Sequence, residues 1–242
     1  MNNEKIEALR EIIDNSKHLV FFGGAGVSTA SNIPDFRSSN GIYNETYGTI
    51  PIEQIISHSF FMAHPDIFFE VYKEKLCFKD AKPNYCHKVL TKLEELGILK
   101  AVITQNIDNL HTLAGTKNVI ELHGSVMRNY CMKCHKSYDL DYVLNSNGVP
   151  RCTCGGIVKP DVVLYEESLN YDSIMTAIKE ISEADTLIIG GTSLSVYPAA
   201  QFVEYFNGRN LVIINKSDVY KNKDATLVIN DDISEVFRLL GY

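Results

Sequence analysis

Apolar positions fall along this chain in two alternating textures. Residues 3–15 bring Ile6, Leu9, Ile12 and Ile13 onto one face of a 3.6-residue repeat, and residues 83–97 do the same with Val89, Leu90, Leu93 and Leu96 before stopping at Gly97. Both predict amphipathic helices. Between and after them come short unbroken apolar runs, rich in β-branched and aromatic residues, at 18–23, 100–104, 118–122, 186–190, 211–214 and 225–229. Runs of that length without alternation suit strands buried on both faces, and their alternation with helices predicts an α/β fold with a parallel sheet. Residues 43–78 interrupt the pattern with an aromatic-rich, helical texture (Phe60, Phe61, Phe68, Phe69, Tyr72) broken at Pro51 and Pro65, an insertion expected to have its own small core.

The predicted strands end in polar residues, and in a parallel sheet those ends share one edge, where open α/β folds bind ligands. The first strand runs into Gly23-Gly24-Ala25-Gly26 and then into helix-starting residues at Ser28 and Thr29. Such a glycine turn lets backbone approach a phosphate, and a helix N-terminus would favour the charge. Pro34 disfavours helix at Ile33, so Asn32-Ile-Pro-Asp-Phe-Arg37 reads as a loop over the ligand, with Arg37 in reach of a phosphate and Phe36 able to cover a flat ring. Later strands end in Gln105-Asn106-Ile107-Asp108, in His123-Gly124, in Gly191-Thr192-Ser193 and in Asn215-Lys216-Ser217. An ordinary dehydrogenase would place an acid on the ribose after the second strand, where this chain has Gln105-Asn106. His123, at a strand end, stands where a general base would be wanted; His111, inside the following helix, reads as structural.

Composition narrows the classes. A chain of 242 residues holds one sizeable domain, or that domain with a smaller insertion, and 45% apolar with 22% charged residues is ordinary for a globular protein. A net charge of −7 argues against a nucleic-acid or acidic-membrane binder and is compatible with basic peptides. The charged N-terminal stretch and the lack of a long apolar run predict a cytosolic protein. Six cysteines are then better read by spacing than as a disulfide frame. Cys131-x-x-Cys134 and Cys152-x-Cys154, separated by residues 135–151, form two thiolate pairs suited to one structural zinc ion, with Gly155-Gly156 fitting a knuckle turn. Cys77 and Cys86 receive no role.

Taken together, Gly24-Ala-Gly-Val-Ser-Thr29, Ile33-Pro-Asp-Phe-Arg37, Thr104-Gln-Asn-Ile-Asp-Asn-Leu-His111, Leu122-His-Gly124, the four cysteines, Gly191-Thr-Ser-Leu-x-Val-x-Pro198 and Ile214-Asn-Lys-Ser217 resemble, in this order, the signature of the sirtuins. The resemblance spans about Leu19 to Ile229 and is to a bacterial, single-module type. It implies a Rossmann-like NAD-binding domain (1–42 with 79–124 and 161–242), a helical insertion (43–78) and a zinc-binding insertion (125–160). It further implies an NAD-dependent protein lysine deacylase acting on acyl-lysine proteins or peptides, in which the acyl oxygen displaces nicotinamide to give an alkylimidate. NAD is consumed, and nicotinamide, acyl-ADP-ribose and free lysine are released. By motif position, His123 would be the base and Asn106 would assist it. Gly24, Ala25, Gly26 and Thr29 would meet the phosphates, with Phe36 and Arg37 on a mobile loop. Gln105 and Asn106 would address the ribose, Ile107 and Asp108 the nicotinamide amide. Gly191, Thr192, Ser193, Asn215 and Lys216 would hold the adenosine half, with Asp232 near adenine. Val163, Leu164, Tyr165 and Glu166 would pair with the peptide as an added strand.

Three departures stand out: Ala30 in place of a common Glu, Asn32 in place of a common Gly, and Leu164-Tyr165-Glu166 where Phe-Gly-Glu is frequent. The last bears on substrate range. No Tyr-x-x-Arg pair of the kind used for acidic acyl groups follows the first motif, so neutral acyl groups are expected. A protein mono-ADP-ribosyltransferase on the same scaffold and a non-catalytic acyl-lysine-binding module are the competing functions.

Overall fold

A computed structural model describes residues 3–38 and 41–242. The chain opens with helix α1 (Asn3–Asp14) and enters strand β1 (Leu19–Gly23), buried throughout. Two 3-10 turns, Ala25–Val27 and Thr29–Ser31, lead out of the sheet. The first excursion holds a hairpin, β2 (Thr46–Tyr47) and β3 (Ile50–Pro51), and helices α2 (Ile52–Ile55), α3 (His58–Ala63) and α4 (Pro65–Lys75). Helix α5 (Tyr85–Glu95) returns the chain to β4 (Leu99–Thr104), and α6 (Leu110–Ala114) precedes β5 (Val119–Glu121). The second excursion is β6 (Gly124–Cys131), β7 (Ser137–Tyr138), α7 (Leu140–Asn145) and β8 (Val158–Val162). Helix α8 (Tyr171–Glu183), β9 (Thr186–Gly190), a 3-10 stretch (Ala199–Tyr205), β10 (Asn210–Ile214), β11 (Leu227–Ile229) and α9 (Ile233–Leu240) complete the fold.

The large sheet has the order β11-β10-β9-β1-β4-β5, with every neighbouring pair parallel. This is the doubly wound order, and its switch point lies between β1 and β9, where the chain leaves in opposite directions and opens a crevice. Alternate strand side chains serve the two faces. Leu19 and Phe21 pack with α1, α5 and α9, while Val20 and Phe22 pack with α8 and the 3-10 stretch. Each fully buried side chain of this size contributes roughly 1.5–3 kcal/mol through removal from water.

The two excursions share one core rather than owning two. Phe61, Phe68, Phe69 and Tyr72 of the helical insertion cluster with Cys131, Val143, Cys152 and Val158 of the cysteine-bearing one. Aromatic packing fixes this core, with the Phe68 and Tyr72 rings stacked at 5.6 Å and Phe61 edge-on to Phe68 at 4.8 Å. Two local expectations change. The glycine turn is followed by 3-10 turns and not by the predicted helix, because Asn32 adopts left-handed backbone (φ 61°) and Pro34 follows. The insertion expected to be helical also holds the small hairpin, whose Thr46 pairs with Pro51.

Candidate active site

At the switch point the turns after β1 and β9 cross in direct backbone contact. The Gly24 and Gly26 N–H groups donate to the carbonyls of Gly190 at 3.2 Å and Gly191 at 2.8 Å. A methyl group at Gly26 would sit 2.8 Å from the Gly191 Cα, and Gly191 itself has φ +59°. These glycines are therefore required by the crossing of two turns, whatever the turn also binds. Gly26→Ala is expected to force the turns apart, lower stability by about 1–3 kcal/mol and weaken nucleotide binding at least ~10-fold. Thermal melting and NAD titration would show both effects, and wild-type values in each would refute this account.

Asn106 is buried and ties the β4 end to the same turn. Its Nδ2 donates to the Gly24 carbonyl at 3.0 Å and to the Ser28 hydroxyl at 3.1 Å, so the Oδ1 remains as the acceptor available to a ligand. Ser28 in turn donates to the Asp108 Oδ2 at 2.6 Å, and the Asp108 Oδ1 accepts the Leu110 N–H at 2.9 Å. Burial raises the Asp108 pKa, with these two bonds opposing the shift. Asp108 lines a separate annex of about 30 Å³ beside Ala25, Ile33, Phe36 and Ile107. That space suits about one water molecule, and it adjoins the main cleft, with which it shares Ala25, Phe36, Asn106 and Ile107.

His123 follows β5 and lines the cleft. Its Nδ1 lies 2.8 Å from the Gln105 carbonyl oxygen. A carbonyl only accepts, so Nδ1 carries the proton and Nε2 of the neutral ring holds a lone pair. Burial pushes the imidazole pKa below its ordinary value, with the bond to Gln105 opposing. His123 is thus an oriented imidazole whose Nε2 is free to accept a proton. His111, by contrast, is buried against the His87 ring at 4.6 Å and away from the cleft, in keeping with its structural reading.

The loop after Pro34 closes one wall. The Asp35 carboxylate accepts the N–H groups of Arg37 at 3.1 Å and Ser38 at 2.8 Å, and Phe36 packs on Tyr43 at 5.2 Å. The Arg37 guanidinium lies over the Tyr43 ring, and the Tyr43 hydroxyl meets that of Tyr165 at 2.6 Å across the cleft. The whole cleft measures about 700 Å³, within the ~300–1,000 Å³ usual for ligand sites.

The cysteine spacing converges as expected. Cys131 and Cys154 sulfurs are 3.5 Å apart, as are those of Cys134 and Cys152, and all four lie within 4.8 Å of one another. Tetrahedral zinc at ~2.3 Å from each thiolate needs sulfurs about 3.8 Å apart, so the set fits. Each knuckle closes on left-handed backbone, at His135 (φ 59°) after Cys134 and at Gly155 (φ 83°) after Cys154.

A family model described as "Sir2 family" matches residues 24–198. The chain is 61% identical over 237 residues to an NAD-dependent protein deacetylase of Clostridium perfringens, covering 97% of each chain, and 58% identical to one of Clostridium acetobutylicum, covering 96% of each. This chain belongs to the Sir2, or sirtuin, family. Among solved structures it is similar to a Sir2 with p53 peptide and NAD+ (TM-score 0.87, 39% identity, covering 98% of this chain and 97% of that one). It is also similar to a Sir2 variant with deacetylated p53 peptide and 3′-O-acetyl ADP ribose (TM-score 0.88, 41% identity, covering 97% of this chain and 96% of that one).

In this sirtuin the cleft gathers Gly24, Ala25, Gly26, Thr29, Phe36 and Arg37 with Gln105, Asn106, Ile107 and His123, and with Gly191, Thr192, Ser193, Asn215 and Lys216. Val163, Leu164, Tyr165 and Glu166 line the opposite side. Asp232 does not line it. It caps α9 by accepting the Ser234 N–H at 2.9 Å and pairs with Lys216 at 2.9 Å, while its neighbours Asp231 and Ile233 face the cleft. Tyr43, Val196 and Tyr197 are further lining residues. Val196 belongs to the recognised Gly191–Pro198 motif and Tyr197 falls at one of its variable positions, whereas Tyr43 lies outside every recognised motif.

The register of the Phe-Gly-Glu pattern needs correction. Left-handed backbone, which favours glycine, falls at Glu166 (φ 74°) and not at Tyr165, so the pattern maps onto Tyr165-Glu166-Glu167. Tyr165 stands for the Phe, and the departure from glycine is Glu166. The segment's main chain is already engaged. Val163 N–H donates to the His123 carbonyl at 3.0 Å, Tyr165 N–H to that of Ile56 at 3.2 Å, and Leu164 N–H to the Glu167 carboxylate at 2.9 Å.

Proposed function

We propose that this sirtuin is an NAD-dependent protein lysine deacetylase, converting NAD, acyl-lysine and water into nicotinamide, acyl-ADP-ribose and free lysine. The observation that carries the reading is the fixed tautomer of His123, which presents a neutral Nε2 to the cleft at the switch point of a dinucleotide-binding sheet. Its relatives' activity and the NAD- and peptide-bound neighbours support the same reaction. Bound NAD would supply a ribose carbon from which nicotinamide departs as the acyl oxygen bonds to it. His123 takes a proton from a ribose hydroxyl, and the Asn106 Oδ1, its Nδ2 occupied elsewhere, orients the ribose or a water. Ala25, Gly26, Thr29 and Arg37 meet the phosphates. Gln105 meets the ribose, and its Nε2 already donates to the Thr192 hydroxyl at 3.1 Å. Ile107 and Asp108 receive the nicotinamide amide, while Thr192, Ser193, Asn215 and Lys216 hold the adenosine half.

The acyl-lysine peptide lies along residues 163–166, between the NAD-binding domain (1–42, 79–124, 161–242) and the two insertions (43–78 and 125–160). Cys131, Cys134, Cys152 and Cys154 hold one zinc ion that shapes the second insertion and takes no part in the chemistry. Activity is placed in the cytoplasm, a reading supported by a thiolate cluster that needs reducing conditions to stay open to metal. No helix of the described residues is long and apolar enough to cross a membrane. Incubation with NAD and an acetyl-lysine peptide should yield nicotinamide, deacetylated peptide and acetyl-ADP-ribose in equal amounts by mass spectrometry. ADP-ribose attached to protein without free acetyl-ADP-ribose would instead establish the transferase, and no nicotinamide release would establish a binding module.

A further inference from the structure

Glu166 is, among the described residues, the only acid on left-handed backbone, and it lies at the exposed rim of the cleft. Its carboxylate is held in place without being neutralised. The Ser59 N–H donates to one oxygen at 2.8 Å and the Ser59 hydroxyl to the other at 2.9 Å. The neighbouring Glu167 is matched by Lys159 at 3.1 Å and His58 at 2.8 Å. Asp35 is taken up by the Arg37 and Ser38 N–H groups, and the Arg37 guanidinium lies over the Tyr43 ring. Among the described residues no cation forms a salt bridge with Glu166. A fixed, unmatched negative charge therefore borders the segment along which a peptide would lie.

The geometry points to Glu166 as a specificity-determining residue that favours peptides with Lys or Arg beside the acyl-lysine over peptides with acidic flanks. The inference rests on reading the chain as a deacetylase with residues 163–166 on its peptide. Charge at a partly exposed rim acts mainly through selection between partners and is weakened by salt. Glu166→Gln keeps a carbonyl to accept from Ser59 while removing the charge, and Glu166→Gly suits the φ of 74° directly.

The test measures binding of fluorescein-labelled acetyl-lysine peptides, identical except for Lys, Ala or Glu flanks, by anisotropy without NAD, alongside turnover with NAD. Wild type should prefer the Lys-flanked over the Glu-flanked peptide about tenfold at low salt, falling toward parity at high salt. Both variants should reduce the ratio to within about twofold. A wild type without preference, or variants that keep it, would overturn the assignment. Because binding is read separately, absence of turnover with every peptide would sink the deacetylase reading and still leave the flank ratio to judge Glu166. Equal binding with normal turnover would do the reverse.

Discussion

His123→Ala should leave a folded protein that binds NAD yet turns over about 10²–10⁴-fold more slowly, the usual worth of a positioned base. The side chain's one hydrogen bond, to the Gln105 carbonyl, is worth about 1 kcal/mol, so the melting temperature should fall by only ~2–4 °C. Nicotinamide and deacetylated peptide released at wild-type rates by the variant would remove His123 from the mechanism. The pH profile supplies an independent check. Burial lowers the His123 pKa in the free enzyme, so the working neutral form persists on the acid side of the usual ~6.5, and the acid limb of kcat/KM should lie below that value. Folding sets the lower limit of the measurement. Burial also holds His87 down to about 4, and the unfolded chain binds that proton first, so stability falls as pH drops from ~6.5 toward 4. Circular dichroism across the same range separates loss of the base from loss of the fold.

What the sequence made legible and what it hid have separate physical causes. The strands were legible because parallel strands covered on both faces are mostly apolar, as β1 and most of β4, β9 and β10 are. Strand ends then placed His123, Asn106 and Thr192 on one edge before any side-chain contact was known. The left-handed residue at Asn32 was legible, since Asn tolerates φ of 61°. Glu166 was not: a glycine-like backbone carried by a glutamate has no signature in composition, so sequence alone puts the pattern on Leu164-Tyr165-Glu166, one residue before the left-handed position shows it to lie. Asp232 shows another limit. A carboxylate at a strand-to-helix junction suits a ligand or a helix cap equally from sequence, and its bonds to Ser234 and Lys216 favour the cap. The shared core of the two insertions was hidden because it joins residues far apart in the chain, such as Phe61 and Val158.

Loss of the zinc site should have the second large effect, because a pair of strands and a shared core couple the cysteines to the cleft. Cys131 ends β6 and pairs with Val158, which starts β8; at the other end Gly124 pairs with Val162. Gly124 follows His123 directly, and Val162 directly precedes Val163, so the same two strands that carry the knuckles lead into these two cleft-lining residues. Gly124 leaves no slack at that end, since a methyl group there would lie 1.9 Å from the Asp161 carbonyl oxygen. Cys131 and Cys152 also belong to the core that Phe36, Ile107 and Tyr165 pack against. Without metal, nothing bridges the four sulfurs that lie within 4.8 Å of one another, and the knuckles have no reason to converge. Cys131→Ser is therefore expected to lower bound zinc from about one per chain to none and to cost several kcal/mol, a fall in melting temperature on the order of 10 °C. Turnover should decline along with zinc content during chelation, although no cysteine lines the cleft. Metal analysis, melting and activity on one chelated series test the coupling directly. A metal-free protein with wild-type melting and turnover would show that the β6–β8 pair holds the cleft without zinc.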